Sequence, residues 1–256
     1  MDGRRVFCKG VPIEPGRRLR MLRTEAEVAV AIPGLGADLL WSVEADGWLC
    51  LGFAHLDGRS AEWGPGSSDL PRIAEHLRAI DHVRTPSPIP AQPLGERWRL
   101  SYWERFGECG SWSPHELRTL REVERATPAL VAGHSLQHTD MTRHNFRVGD
   151  GFVRLVDWSW PAMAAPWVDV ALLVHRVIEA GHAPDAAEAW AATVPLWADA
   201  PGEGVTALAV TMLSVWQGRE RSHTAAPHHR GLARAARVWV RHRLGLVGER
   251  RQADVW

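Results

Sequence analysis

The sequence predicts an α+β fold of 256 residues in two unequal parts, on three observations. Strand-like runs crowd into the first 55 residues. Apolar residues at helical spacing govern most of the chain beyond them. A stretch from Leu136 to Pro161, LQHTDMTRHNFRVGDGFVRLVDWSWP, carries an Asp, an Asn and a second Asp on a loop and a short alternating run.

In order, Arg5–Val11 (RVFCKGV) favours a strand through its Val and Phe, and Pro12 and Pro15-Gly16 end it. Arg17 to Ile32 reads as a helix with Leu22, Ala26 and Ala29 on one side and Pro33-Gly34 as its stop. Glu25 borders that apolar side, while Glu27 falls beside Arg20 and Arg23 on the solvated one. Asp38–Glu44 and Gly47–Phe53, separated at Ala45-Asp46, predict a β-hairpin. A helix starting near Ser68, capped by Ser68 or Asp69, keeps Leu70, Ile73, Leu77 and Ile80 in register. The proline-rich run from Arg84 to Leu94 is an extended connector. Ser113-Pro114-His115-Glu116 then opens a helix to Arg125, with serine as cap and proline at the first position. Ala129–Gln137 leads into His138, and Phe152–Val156 is a short strand delivering Asp157. Ala171–Ala180, Ala186–Trp197, Gly204–Gly218 and Gly231–Leu246 close the chain as helices.

Composition bounds what such a chain can do. Thirty basic and thirty acidic residues balance, which gives no electrostatic footprint for nucleic acid. Cys8, Cys50 and Cys109 are odd in number and lack metal-ligand spacing, which fits a reducing cytoplasm. The start, MDGRRVFCKG, has no apolar h-region, and no run is long enough to span a membrane. The His223, His228 and His229 group reads as a solvated loop rather than a metal site, since no fixed ligand spacing accompanies it.

The chemistry sits in H-x-D-x-x-x-x-N from His138, followed by Asp157. Phosphoryl transfer needs one carboxylate to orient the attacking hydroxyl, and an amide oxygen and a second carboxylate to hold magnesium against nucleotide phosphates. Asp140, Asn145 and Asp157 supply those groups. Asn145 is the chain's one asparagine, and Lys9, on the first strand, is its one lysine. Where arginine takes every other cationic place, a retained lysine points to work for a compact ammonium, such as contacting phosphates.

These residues resemble the aminoglycoside phosphotransferase and choline kinase family, relatives of the protein kinases. The resemblance implies a two-lobed protein-kinase-like fold, with a small lobe over residues 1–55 and a mainly helical large lobe over 56–256. It implies Glu25 as the helix partner of Lys9, and a hinge at Phe53-Ala54-His55-Leu56 where Phe53 and His55 border the nucleotide base. It implies Asp140 as catalytic base, Asn145 and Asp157 as magnesium ligands and His138 as a brace for the loop; Arg143 and His144, directly before Asn145, stand next to the site in sequence. The segment Pro166-Trp167-Val168-Asp169-Val170 resembles the one in which the family places a second aspartate, which implies that Asp169 caps the next helix and steadies the metal loop. The implied cofactors are ATP or GTP and Mg2+. The partner is a small-molecule hydroxyl acceptor, aminoglycoside-like or an amino alcohol, although Asp185, Glu188, Asp199 and Glu203 are too dispersed to form an acidic pocket. Nucleic acid and membrane are not expected partners, and oligomeric state is open.

The chain departs from the family in front of Lys9, where only eight residues stand in place of two strands and a glycine-rich loop. An incomplete start, a trimmed enzyme and a kinase fold of weak or no activity that binds nucleotide or acts as a scaffold are the alternatives. A metal-dependent hydrolase using Asp140 and Asp157 is a third class, in which Lys9 has no role.

Overall fold

The computed structural model describes residues 5–97 and 112–246, so Cys109 lies outside the described residues. Strand β1 (Val6–Pro12) is followed by helix α1 (Arg17–Ala31) and by β2 (Leu39–Ala45) and β3 (Trp48–Ala54). The three strands form an antiparallel sheet in the order β1-β3-β2. Alternation puts Lys9 opposite Leu51, on the face that packs against α1. That face and Leu19 and Leu22 of α1 form a small core with Leu49, Leu51 and Phe53. The β2–β3 reversal is at Asp46-Gly47, one residue beyond the Ala45-Asp46 turn expected. Both residues have positive φ (49° and 76°), the type I′ geometry that Asp-Gly favours.

Beyond β3 come β4 (Arg59–Ser60), α2 (Asp69–Arg84) and the short α3 (Leu94–Arg97). Ser68 stands at the N-cap position of α2, as expected, but its side chain makes no capping hydrogen bond. Ser67 Oγ accepts the Asp69 N–H, and the Asp69 carboxylate instead takes Arg59 and the Glu62 N–H. Arg84 ends this helix rather than opening the connector.

Helix α4 (Pro114–Leu130) starts with a complete capping box between Ser113 and Glu116. It outruns the Arg125 end expected from sequence, because Pro128 falls in the last turn and interrupts little there. Thr127 Oγ1 ties that turn to Ala207 O and Thr211 Oγ1. Three-stranded β4-β6-β7 and two-stranded β5-β8 sheets then form from β5 (Ser135–Gln137), β6 (Phe146–Gly149), β7 (Phe152–Leu155) and β8 (Ala162–Ala164).

The remaining helices are α5 (Val168–Glu179), α6 (Pro184–Ala191), α7 (Pro195–Ala198), α8 (Gly202–Glu220) and α9 (Pro227–Arg243). The single helix expected over Ala186–Trp197 is split into α6 and α7, since Pro195 cannot donate and serves as the first residue of a new turn. Helix α8 is buried almost all round, packed between α4 and α9. His228 and His229 lie in the first turn of α9 rather than in a loop, where His229 Nδ1 accepts the Ala226 N–H.

Gly36, before β2, holds the two parts close. A Cβ there would stand 2.7 Å from Leu155 O at the end of β7, so any side chain would push the small lobe off the strand that leads to Asp157.

Candidate active site

Four segments distant in sequence meet between the lobes. Lys9 Nζ on β1 lies 2.8 Å from each carboxylate oxygen of Glu25 on α1, and 3.0 Å from Asp157 Oδ1 just past β7. Glu25 faces inward because it continues the Leu19, Leu22, Val28 stripe, and it is only 6% exposed. Burial pushes its carboxyl up, against the pull of Lys9. Burial also acts to raise Asp157, but Lys9, a hydrogen bond from Ser159 and the nearby His138 outweigh it and hold that carboxyl below the usual range. Asp157 therefore stays charged. Its φ of 64° is one of three positive values at non-glycine residues among the described residues, and Thr139 (66°) beside Asp140 is another. Such strain gathers where surrounding contacts fix a functional loop.

The loop from His138 to Asn145 is fixed from beneath. The buried His138 ring accepts the Asp140 N–H at Nδ1 (3.3 Å), so Nε2 carries the proton and donates to Val156 O at 2.9 Å. The ring also packs edge-on against Trp158, 4.7 Å between centroids. His138 thus spans the loop and the Asp157 segment. Asp169 does not cap α5, whose N-cap position is Trp167. From inside the first turn its carboxylate accepts the N–H groups of His138 and Thr139 and pairs with Arg84.

Asn145 Nδ2 donates to the Asp140 carbonyl (2.8 Å) and to Asp140 Oδ2 (3.2 Å). The second contact orients the exposed Asp140 carboxylate, and both leave Asn145 Oδ1 without a hydrogen bond among the described residues. Asn145 and Asp157 line the same cavity, as do Lys9 and Glu25. This is a two-ligand oxygen set. Such a set suits magnesium, which keeps waters and takes its remaining ligands from phosphates, and the described residues offer no larger cluster of metal-binding side chains.

The cavity, about 410 Å³, has an apolar body of Val28, Ile32, Leu35, Phe53, Val156 and Trp158. The segment Phe53 to Leu56 at the end of β3 also lines it. Here the His55 N–H is engaged by Arg5 O at 3.2 Å and its ring Nδ1 lies 3.3 Å from Asp57, whereas the Leu56 N–H has no partner among the described residues. His144 and Arg147 line the cavity and Arg143 does not.

Sequence reading missed two groups. Arg84 is one, since nothing local marks an arginine whose partner is 85 residues away. The other is Trp160, whose ring carries Arg17 of α1 at 4.0 Å and Arg97 of α3 at 4.8 Å. The one signal was the run of Trp158, Ser159, Trp160 and Pro161 directly after Asp157.

No protein-family model matches the sequence, and no curated protein matches it either. Solved structures do match. The choline kinase LicA from Streptococcus pneumoniae superposes with a TM-score of 0.59 at 14% identity, over 93% of this chain and 86% of that one. A choline/ethanolamine kinase family protein from Mesorhizobium loti superposes with a TM-score of 0.59 at 15% identity, over 91% and 79%. At such identities the likeness establishes the fold: a two-lobed, protein-kinase-like architecture with a small sheet-containing lobe and a large helical one. Among the described residues no strand precedes β1.

Proposed function

We propose that this chain is a phosphotransferase that uses ATP and magnesium to phosphorylate a hydroxyl group of a small molecule. The observation that carries the reading is the position of Lys9 Nζ, within 3.0 Å of both Glu25 and Asp157 at the polar end of an apolar cavity. Folding alone does not require a lysine between two carboxylates brought from three separate segments.

In this reading the apolar body of the cavity takes the base, with Leu56 N–H as the free hinge donor. Phe53 and His55 border it, and His55 does so through its side chain, because its N–H is already engaged. Glu25 holds Lys9 so that its ammonium reaches the phosphates. Asn145 Oδ1 and Asp157 would hold magnesium, which when bound neutralises charge on the phosphate oxygens. Asp140 takes the acceptor's proton as the acceptor oxygen bonds to the γ-phosphorus and the bridging bond to ADP breaks. His138 and Asp169 keep Asp140 in place, and much of the rate comes from that positioning.

Calorimetric titration of the chain with ATP, with and without magnesium, tests this. Magnesium-dependent binding that Asp157→Ala abolishes supports the reading. Absence of nucleotide binding by the unaltered chain overturns it.

A further inference from the structure

We infer that the acceptor of this reaction is an anion, bearing a carboxylate or phosphate ester beside its hydroxyl, and that Arg176 and Arg219 receive it. The inference rests on the kinase reading above and concerns the side of Asp140 away from the nucleotide cavity.

Helix α5 begins directly under the loop that carries Asp140, because Asp169 accepts the N–H groups of His138 and Thr139. Arg176 follows seven residues later, nearly two turns on and on the same side of the helix, about 10 Å further along it. Its guanidinium is within electrostatic reach of Asp140: burial lowers its pKa, and the Asp140 carboxylate is the foremost influence opposing that. Arg176 Cζ lies 5.1 Å from the centre of the Trp216 ring on α8, and Arg219 Cζ lies 4.7 Å from it. Neither guanidinium makes an ion pair or hydrogen bond among the described residues, so the donor forks of both are uncommitted. Glu179, three residues on and exposed to solvent, also acts on Arg176, after Asp140 and without an ion pair among the described residues, and Arg219 acts in the opposite sense.

Two further guanidinium groups stand close to the loop. Arg97 donates to Thr139 Oγ1 at 3.1 Å, next to Asp140, and shares Trp160 with Arg17. Recognition of a quaternary ammonium needs open aromatic faces, and a polyamine needs carboxylates. Trp160, in the segment after Asp157, and Trp216, which Arg176 meets, each already carry two guanidinium groups. An ammonium would meet positive charge there, while a carboxylate or phosphate would meet planar donor forks of matching geometry. The anion makes and breaks no bond: the hydroxyl oxygen gains phosphorus, its proton leaves through Asp140, and the guanidinium contacts fix the hydroxyl in line.

The test measures ADP release by the full chain with magnesium and ATP, after nucleotide binding has been established by calorimetry. The acceptors are glycerate and gluconate for the carboxylate, glycerol 3-phosphate for the phosphate ester, glycerol as the neutral control, and choline, ethanolamine and kanamycin as cations. We expect release with at least one anion to exceed that with any cation at least about tenfold, the worth of one charge-assisted hydrogen bond. Arg219→Gln, at an exposed position, should raise KM for that anion by about the same factor with a smaller effect on kcat, and Arg219→Lys should restore part of it. Transfer to a cation at an equal rate, transfer to none of the three anions, or an unchanged KM in Arg219→Gln overturns the inference while leaving the kinase reading intact. Absence of nucleotide binding removes both.

Discussion

Arg84 Nη1 lies 3.1 Å from Asp169 Oδ2, and neither side chain has any solvent exposure. Arg84 also donates to Leu136 O, and the Asp169 N–H reaches Gln137 Oε1. The end of α2, strand β5 and the start of α5 therefore converge on one carboxylate. Its two oxygens hold the N–H groups of His138 and Thr139, so the loop bearing Asp140 hangs from a buried charge. A charge so placed is costly without its partner, which makes the geometry of the loop depend on a residue far from it in sequence.

Removing both members of that pair should cost less than the sum of removing each. Arg84→Met is expected to destabilise the fold by about 3–5 kcal/mol, the range for a buried charge left without its partner. Asp169→Asn should fall in the same range, since it leaves the buried Arg84 guanidinium without its countercharge and turns an amide NH2 toward N–H donors. The double substitution should be milder than the sum of the two, as measured by urea unfolding across a double-mutant cycle. Simple additivity would show that the pair is not coupled.

Asp140 and Asp157 should separate cleanly in kinetics. Asp140→Asn keeps the shape of the loop and removes the proton acceptor, so kcat should fall about 10²- to 10⁴-fold with nucleotide affinity retained. Asp157→Asn should instead abolish the magnesium dependence of ATP binding. Equal loss of ATP affinity in both would mean that Asp140 serves the fold rather than the reaction.

The residues legible in sequence were those whose type was rare. Lys9 and Asn145 are each the only residue of their kind, so their placement on a strand and in a loop beside two aspartates carried information. Glu25 was legible through helical period, since a carboxylate three residues after Leu22 must border the buried face. Arg84 was not, because it is one arginine among many and only the folded chain brings Asp169 to it. The same holds for the contacts of Arg17, Arg97, Arg176 and Arg219, which only the folded chain brings to Trp160 and Trp216. Element ends were misjudged where proline was involved: Pro128 did not end α4 at once, while Pro195 restarted a helix.

The contact of Arg17 with Trp160 joins α1, which carries Glu25, to the segment following Asp157. An exposed cation–π contact is worth about 0.5–1 kcal/mol, so Arg17→Ala should weaken magnesium–ATP binding about two- to fivefold. Trp160→Leu removes the contacts of both Arg17 and Arg97 and should weaken it further. Isothermal titration of the two variants checks this, and unchanged affinity in Trp160→Leu would falsify a role for the contact in holding the lobes.

Two buried histidines give the fold a defined response to acid. His76 on α2 has Nε2 without a partner and is held near a pKa of about 4, by burial first and then by Arg154 and Arg84. His175 on α5 donates to Leu232 O and is held at about 3 by burial. Both are neutral in the folded chain, whereas in the unfolded chain each titrates near about 6.5. As pH falls below that value the unfolded chain binds protons that the folded chain refuses, and stability declines until the folded values are reached. Well inside that window each histidine contributes about 1.4 kcal/mol per pH unit. Carboxylates with lowered pKa, such as Asp157 and Asp69, act in the same direction but below pH 4. Between pH 6 and pH 5 the histidines should therefore dominate. Urea unfolding over that interval should show stability falling with pH, and His76→Leu should lower the slope by up to about 1.4 kcal/mol per pH unit, the remainder coming from His175 and His229 against the opposite pull of Glu25. A slope that His76→Leu leaves unchanged would mean that His76 titrates as freely in the folded chain as in the unfolded one.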